Sequence, residues 1–156
     1  MPFLEFWRVG FCWGFCLRGI YVLLIRVKEN CTVKIGALGD VAFDAGLYAY
    51  VGSAQRNLDQ RVSRHLRRDK SLFWHIDYLL ASNCAKVENV LFKNAEKVEE
   101  CQVASLISKH GKQVEGFGCS DCSCRSHLFK LNRADFLFNS TQIFSCEKKE
   151  NKEMRN

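Results

Sequence analysis

The sequence has little proline, no internal repeat and no apolar run long enough to cross a membrane. With one proline and 47% hydrophobic residues among 156, the chain fits one compact domain and leaves no room for two. The apolar stretch 9–17 ends at Arg18, well short of the ~20 residues that span a bilayer. Glu5 and Arg8 do not form a positively charged leader, and no small-residue cleavage site follows. We therefore expect a cytoplasmic protein with no membrane partner, in which residues 1–17 form an apolar N-terminal extension.

The chain is also too long for its nine cysteines to indicate a small secreted protein held together by disulfides. Their number is odd. We expect them to be reduced intracellular thiols or metal ligands.

The charge balance makes a polyanion a candidate partner. The chain has 23 Lys and Arg against 17 Asp and Glu, which gives a formal net charge of +6. A basic surface attracts phosphates over long distances. The net charge is therefore consistent with a nucleic-acid partner but does not by itself indicate one.

Runs of apolar, β-branched and aromatic residues predict the strands of an α/β domain. The longest run, Gly19–Val27, predicts a central strand buried on both faces. In the next long strand, alternation places Tyr48 and Tyr50 on the same face. The strands predicted after the first are Thr32–Gly36, Leu47–Gly52, Val87–Phe92 as an outer strand, and His127–Leu131.

An amphipathic helix is predicted to follow the second long strand. A capping-box pattern at Asn57 starts it, and its apolar periodicity continues to about Arg68. Arg61 and His65 lie one helical turn apart, so they can address the same ligand. The side chains assigned to its polar side are Arg61, Arg64, His65 and Arg68.

Two further helices are predicted, and the second of these contains a carboxylate on an apolar face. Ser71 is expected to cap a helix through Leu80, with His75 and Asp77 as polar exceptions. Asn94 is expected to cap a helix that runs to about His110, with Gly111 as its C-terminal stop.

Rotation by about 100° per residue places Glu100 within the apolar face of that last helix, with Glu99 toward the edge. A carboxylate within an apolar stripe is costly unless it is paired. Glu100 is therefore the acid that we expect to bind a metal or another cation. The apolar residues that define this face are Cys101, Val103, Ala104, Leu106 and Ile107.

The order of several short motifs resembles the GIY-YIG nuclease superfamily. Gly19-Ile20-Tyr21 precedes Tyr50-Val51-Gly52, and a helix carrying Arg61 and His65 follows. The strings YAYVGSA, FWHIDYLL and GFGCSDCSCRSHLF look like the small Uri-type branch of archaeal and bacterial proteins. The likeness covers residues 18–131, which we take as the nuclease-like domain, followed by a polar tail, 132–156, whose end we expect to be disordered.

The resemblance implies a small α/β sandwich, with a central three-stranded sheet flanked by helices. It also implies hydrolysis of nucleic-acid phosphodiester bonds with one divalent metal, Mg²⁺ or Mn²⁺, and we favour DNA over RNA as the substrate. Glu100 would be the metal ligand, and Arg61 would hold the scissile phosphate. His65 and His75 would lie where some members carry helper histidines. Tyr21 and Tyr50 would line the site.

Tyr21 is the first choice for the base, with Tyr50 and Tyr48 as alternatives. The connection between Tyr21 and Tyr50 is longer than the short hairpin usual in the superfamily, so the sequence leaves their register open. Arg61, Arg64 and Arg68 are expected to contact nucleic acid.

A cysteine-dense loop lies outside this pattern. Cys122 and Cys124, together with the nearby Cys119 and His127, are soft donors, but four ligands within nine positions leave little chain to surround a tetrahedral ion. A zinc site would combine Cys122 and Cys124 with a distant partner, Cys101 or Cys84. The alternative is a set of buried thiols hydrogen-bonded within a tight loop.

Two other functions stay open on the sequence. One is a nucleic-acid-binding module that grips phosphates and bases without hydrolysis. The other is a zinc-stabilised domain that binds a protein partner. Glu100 separates the first from the nuclease hypothesis, because hydrolysis needs the carboxylate and binding does not.

Overall fold

The computed structural model describes residues 18–119, 122–133 and 137. The predicted N-terminal extension, 1–17, lies outside the described residues, as does nearly all of the predicted tail, 132–156. None of the described helices is both long and apolar enough to cross a membrane.

The described residues form strands and helices in a mixed order. In chain order these elements are β1 (Gly19–Val27), β2 (Cys31–Lys34), β3 (Asp40–Phe43), β4 (Gly46–Ala54), α1 (Leu58–Leu66), α2 (His75–Ala81), β5 (Ala85–Lys93), α3 (Glu99–Ser108), β6 (Gly111–Gln113) and β7 (Leu128–Leu131).

An antiparallel sheet of five strands, in the order β5-β1-β4-β7-β6, forms the centre of the fold. The α/β class is confirmed, but the prediction of a three-stranded sheet is wrong. The count of three came from the resemblance, whereas the residue patterns predicted four of these strands. They did not predict β6, because its three residues, Gly-Lys-Gln, have no apolar pattern. β1 is an interior strand and is buried except at Arg26, as its continuous apolar run predicts.

The long connection between β1 and β4 contains a second, two-stranded sheet made by β2 and β3. The predicted strand Thr32–Gly36 overlaps β2, whereas its partner β3 was not predicted. This hairpin accounts for the long separation in sequence between Tyr21 and Tyr50.

Helices pack on both faces of the large sheet. One face, which includes Tyr21 and Tyr50, is covered by apolar residues of α1 and α2. The other is covered by α3 through Val103, Ala104 and Ile107. The active-site candidates on these helices therefore approach the sheet from opposite sides.

The first helix differs from its prediction in two respects. Asn57 has a left-handed backbone (φ 53°) and its side chain makes no capping hydrogen bond, so the predicted capping box is wrong. His65 is 2% exposed, not on the polar side. Since it follows Leu58 by seven residues and Val62 by three, helical rotation places it on the apolar face.

The other two helices begin later than predicted. α2 starts at His75 rather than near Ser71. Just before His75, the amides of Phe73 and Trp74 donate hydrogen bonds to the Asp77 carboxylate, at 2.9 Å and 2.8 Å. α3 starts at Glu99 rather than after Asn94. Its buried face contains the predicted apolar residues except Cys101, which is partly exposed, and Leu106, which is exposed.

Candidate active site

The register of β1 and β4 brings the two motif tyrosines to one face of the sheet. Tyr21 lies opposite Gly52, and Leu23 lies opposite Tyr50. The Tyr21 ring crosses Gly52 so closely that a Cβ at position 52 would lie 2.4 Å from the ring's Cζ and hydroxyl oxygen. The absence of a side chain at Gly52 therefore leaves the space that the Tyr21 ring occupies.

Tyr21 and His65 form a buried hydrogen-bonded pair. The Tyr21 hydroxyl oxygen lies 2.7 Å from Nε2 of His65, and either group can donate, depending on the imidazole tautomer. Burial, reinforced by the positive charge of Lys70, lowers the pKa of His65 to about 3, so the ring is neutral at physiological pH. The neutral ring can accept the hydrogen bond of the Tyr21 hydroxyl or donate its own N–H to the Tyr21 oxygen, but with this low pKa it is too weak a base to ionise Tyr21.

Burial raises the pKa of both Tyr21 and Tyr50, and at Tyr21 the charge of Arg61 opposes that rise. Neither hydroxyl is ionised at neutral pH. A tyrosine base at this site therefore needs a group that takes up its own proton or a cation that stabilises the phenolate.

Tyr48 shares the face of Tyr50 but does not reach the site. Its hydroxyl donates a hydrogen bond to the carbonyl of Asp44 at 2.8 Å. Tyr50, in contrast, is 8% exposed and lines a cavity, with its ring against those of His65 and Phe117. Of these two tyrosines, only Tyr50 is therefore a candidate base. The alternation along the strand could not distinguish them, because it places both on the same face.

Ser53 links the two faces of the sheet at the end of β4. Its hydroxyl donates a hydrogen bond to Oε2 of Glu100 at 2.8 Å, and its carbonyl accepts one from Arg61 at 3.3 Å. Ser53 was not predicted as a site residue, since a serine that follows the Tyr50 motif has no distinctive pattern of its own. The structure shows that it joins the proposed cation ligand to the proposed phosphate ligand.

These side chains open onto one cavity of about 540 Å³. Four of the five residues predicted as catalytic line it, and the fifth, His65, lies directly behind Tyr21. The positively charged Lys97, which also lines the cavity, was not predicted as a site residue. Residues that line the cavity include Tyr21, Tyr50, Ser53, Arg61, Trp74, His75, Lys97, Glu100 and Gly118.

His75 is held in a defined orientation at the cavity wall. Its Nδ1 accepts a hydrogen bond from the backbone amide of Gly118 at 2.9 Å. Burial lowers the pKa of His75, so its neutral ring carries the remaining proton on Nε2. Nε2 can thus donate a hydrogen bond to an anion.

The structure does not bring Arg64 and Arg68 to the cavity. Arg64 makes two hydrogen bonds to the buried carboxylate of Asp77, at 2.8 and 2.9 Å, and its guanidinium stacks on Trp74. Arg68 lies beyond the end of α1, 3.5 Å from the side-chain oxygen of Asn83. Of the three arginines predicted to contact nucleic acid, only Arg61 lines the cavity.

A second cluster lies next to Glu100. The donor atoms of Cys101, Cys122, Cys124 and His127 all lie within 4.8 Å of one another and could hold a metal ion such as zinc. The predicted meeting of Cys122 and Cys124 with Cys101 is confirmed.

The alternative prediction, that Cys84 completes the site, is wrong. Cys84 lies beside Cys31, whose thiol pKa is raised to about 12 by burial and by a hydrogen bond with Cys84. The cluster takes its fourth donor from His127, which immediately precedes β7.

His127 connects this cluster to the cavity. Its Nε2 lies 3.5 Å from the Cys122 sulfur, and its Nδ1 lies 3.2 Å from Oε1 of Glu100. The second distance is that of an ion pair, although the N–H direction falls outside the range of a well-formed hydrogen bond. The Glu100 carboxylate therefore faces Ser53 on one side and His127 on the other.

Comparison with known proteins gives one family match. The family described as Domain of unknown function DUF123 matches residues 20–149. No curated protein and no solved structure matches. The matched range contains every cavity residue named above and all four donors of the cysteine and histidine cluster.

Proposed function

The chain belongs to the DUF123 family, and we propose that it is a divalent-metal-dependent endonuclease that hydrolyses phosphodiester bonds, with DNA favoured over RNA. The observation that supports this most is the cavity, because it combines Tyr21, Arg61 and Glu100 from three separate elements. This combination resembles the tyrosine, arginine and glutamate set of the GIY-YIG nucleases. A cavity lined by a cation, a carboxylate and phenols has the groups that phosphodiester hydrolysis requires.

Glu100 would hold the divalent cation. Mg²⁺ is commonly bound by one or two carboxylates together with waters and substrate phosphates, so a single glutamate at a cavity wall fits it. The contacts with Ser53 and His127 use one direction at each carboxylate oxygen and leave further lone pairs. When bound, Mg²⁺ or Mn²⁺ would neutralise charge that grows on the phosphate and leaving oxygens.

Arg61 would bind the scissile phosphate. Its guanidinium is held between the Ser53 carbonyl and the ring of Trp74, 4.5 Å from the ring centre. Such support limits the orientations of the arginine and favours defined phosphate binding. Nε2 of His75 can donate a hydrogen bond to the same anion from another part of the wall.

Tyr21 would act on the attacking water together with His65. Because burial raises the pKa of Tyr21, its oxygen can take a proton from water only as a phenolate, which the bound cation and Arg61 would stabilise. His65, at 2.7 Å, is too weak a base to remove the Tyr21 proton, since its own pKa is about 3, but in the tautomer with the proton on Nε2 it would donate a hydrogen bond that favours the phenolate. Tyr50 is the alternative base, since it lines the cavity and none of the described residues bonds to its hydroxyl.

The proposal is tested by incubating the protein with labelled duplex, single-stranded, flap and junction DNAs and with RNAs. We expect cleavage of at least one substrate with Mg²⁺ or Mn²⁺. Omitting Mg²⁺ in one arm and adding a chelator in another separates loss of the catalytic cation from loss of any metal at the cysteine cluster. Tight binding without cleavage of any substrate would instead support a non-catalytic binding module.

Replacing Arg61 by Gln should weaken nucleic-acid binding and make it less dependent on salt. Each phosphate contact contributes about 0.9 to the slope of log affinity against log salt concentration for duplex DNA, so the slope should fall by about that amount. Fluorescence anisotropy at several salt concentrations measures it.

Arg68→Gln is the matched control, because it removes the same charge outside the cavity. If Arg68→Gln lowers the slope while Arg61→Gln leaves it unchanged, the phosphate-binding surface lies at the far end of α1.

A further inference from the structure

The cluster of three cysteines and one histidine has the dimensions of a tetrahedral metal site. Ligand atoms about 2.0–2.3 Å from a tetrahedral zinc lie roughly 3.5–3.8 Å from one another. The Cys122 sulfur and Nε2 of His127 are 3.5 Å apart, and all four donor atoms lie within 4.8 Å of one another. Small side-chain adjustments would therefore complete the tetrahedron.

The donors come from three segments that the fold brings together. Cys101 is in the first turn of α3, Cys122 and Cys124 are in the loop between β6 and β7, and His127 immediately precedes β7. A metal ion here would join a helix to the sheet. Four ligands within nine positions would leave little chain to surround a tetrahedral ion, but here the loop does not have to surround the ion alone, because Cys101 comes from α3.

The donor chemistry selects zinc rather than the cation proposed at Glu100. Three thiolates and an imidazole are soft or borderline ligands, which suit Zn²⁺, whereas Mg²⁺ prefers oxygen. Four protein ligands also leave no open position for substrate, as in structural zinc sites.

The orientation of His127 adds an independent observation. Its Nε2 faces the Cys122 sulfur, and its Nδ1 faces Glu100. Histidines that bind zinc through one nitrogen commonly donate the other N–H to a carboxylate, which fixes the ring. Binding of Nε2 to zinc would leave the ring proton on Nδ1, and a small reorientation of the ring or the carboxylate would make Glu100, 3.2 Å away, its acceptor.

We propose that Cys101, Cys122, Cys124 and His127 bind one zinc ion, and that this zinc site positions Glu100 through His127 and the adjoining Cys101. The zinc site stands independently of the nuclease proposal. Its effect on catalysis rests on the proposed function, since it assumes that Glu100 holds the catalytic cation.

The zinc site is tested by metal analysis of the full chain purified under reducing conditions. We expect about one zinc per chain. Replacement by Co²⁺ should give a thiolate-to-cobalt charge-transfer band and the intense visible bands of a tetrahedral site. A reduced protein that contains no zinc and takes up neither Zn²⁺ nor Co²⁺ would overturn the proposal, and this result needs no variant.

Cysteine variants locate the site. Cys122→Ser and Cys124→Ser should each lower zinc affinity strongly, as measured by competition with a chromogenic chelator. Cys84→Ser is the matched control, since Cys84 is also partly exposed but lies beside Cys31. Equal loss of zinc from Cys84→Ser and Cys122→Ser would contradict the assignment of ligands.

The link to Glu100 has its own measurement. Glu100→Gln should weaken zinc binding by about 10- to 100-fold, the usual cost of losing a carboxylate behind a zinc-bound histidine. Glu99→Gln should leave it unchanged. Zinc affinity is measured without Mg²⁺ or nucleic acid, so it does not depend on whether the chain is a nuclease. Wild-type affinity in Glu100→Gln would refute the link while the metal analysis still decides the zinc site.

Discussion

Glu100→Gln should lower the rate of nucleic-acid cleavage by at least ~100-fold and leave binding intact or tighter. Glutamine keeps the size of the side chain and can still accept the hydrogen bond from Ser53, but it removes the charge that would hold the divalent cation. Loss of an interaction worth several kcal/mol in the transition state corresponds to a rate effect of this size. Single-turnover cleavage and anisotropy binding, on the substrate that the wild type cuts, measure the two quantities.

Glu99→Gln is the control for this experiment. The neighbouring carboxylate is already engaged, with Lys93 at 3.3 Å and the amide of Glu96 at 3.0 Å. Its removal should affect cleavage little. Because Glu100→Gln is also expected to weaken zinc binding, both variants are assayed with their zinc content measured and equalised. Wild-type cleavage by Glu100→Gln would mean that the cation is held elsewhere, and Glu99 would be the next carboxylate to test.

Features that depend on local periodicity could be predicted from the sequence. The run Gly19–Val27 predicted β1 with its observed bounds. The position of Glu100 on the buried side of α3 followed from the spacing of Val103, Ala104 and Ile107, which are indeed buried. In each case one element by itself determines the outcome, so rotation or alternation along the chain is sufficient.

His65 was assigned to the wrong side of its helix although the information was local. Its spacing of seven residues from Leu58 places it on the apolar face, but its polarity suggested the opposite. A buried histidine is tolerated here because it is neutral and because Nε2 bonds to Tyr21. That partner is 44 residues away in sequence, so nothing near His65 indicated that Nε2 would have a partner. Nδ1 has no hydrogen-bond partner among the described residues.

Pairings between elements could not be predicted in the same way. The sequence predicted Arg64 on the polar side of α1, whereas in the structure it makes two hydrogen bonds to Asp77 of α2. The loop cysteines indicated a possible metal site, but only the position of α3 decides between Cys101 and Cys84. The role of Ser53 could not be predicted either, because it depends on contacts with both Arg61 and Glu100 at the end of β4.

Gly52→Ala should destabilise the fold and impair cleavage together. The added methyl would lie 2.4 Å from ring atoms of Tyr21, and this ring is 1% exposed and has little room to move. Overpacking of a buried site typically costs about 1–3 kcal/mol in the free energy of unfolding. If the ring shifts by about 1 Å, its bond to His65 is disturbed and cleavage can fall by about 100-fold. Urea denaturation and single-turnover cleavage measure the two effects.

A double-mutant cycle shows whether the Tyr21 ring is the cause. Tyr21→Leu removes the atoms that a methyl at position 52 would meet, at the cost of a cavity in the core. In that background Gly52→Ala should cost much less free energy of unfolding than in the wild type, because the two side chains interact directly. An equal cost in both backgrounds would show that Gly52 is required by the backbone of β4 and not by Tyr21. A reduced cost would show that the glycine of the second motif is required because the tyrosine of the first lies across it.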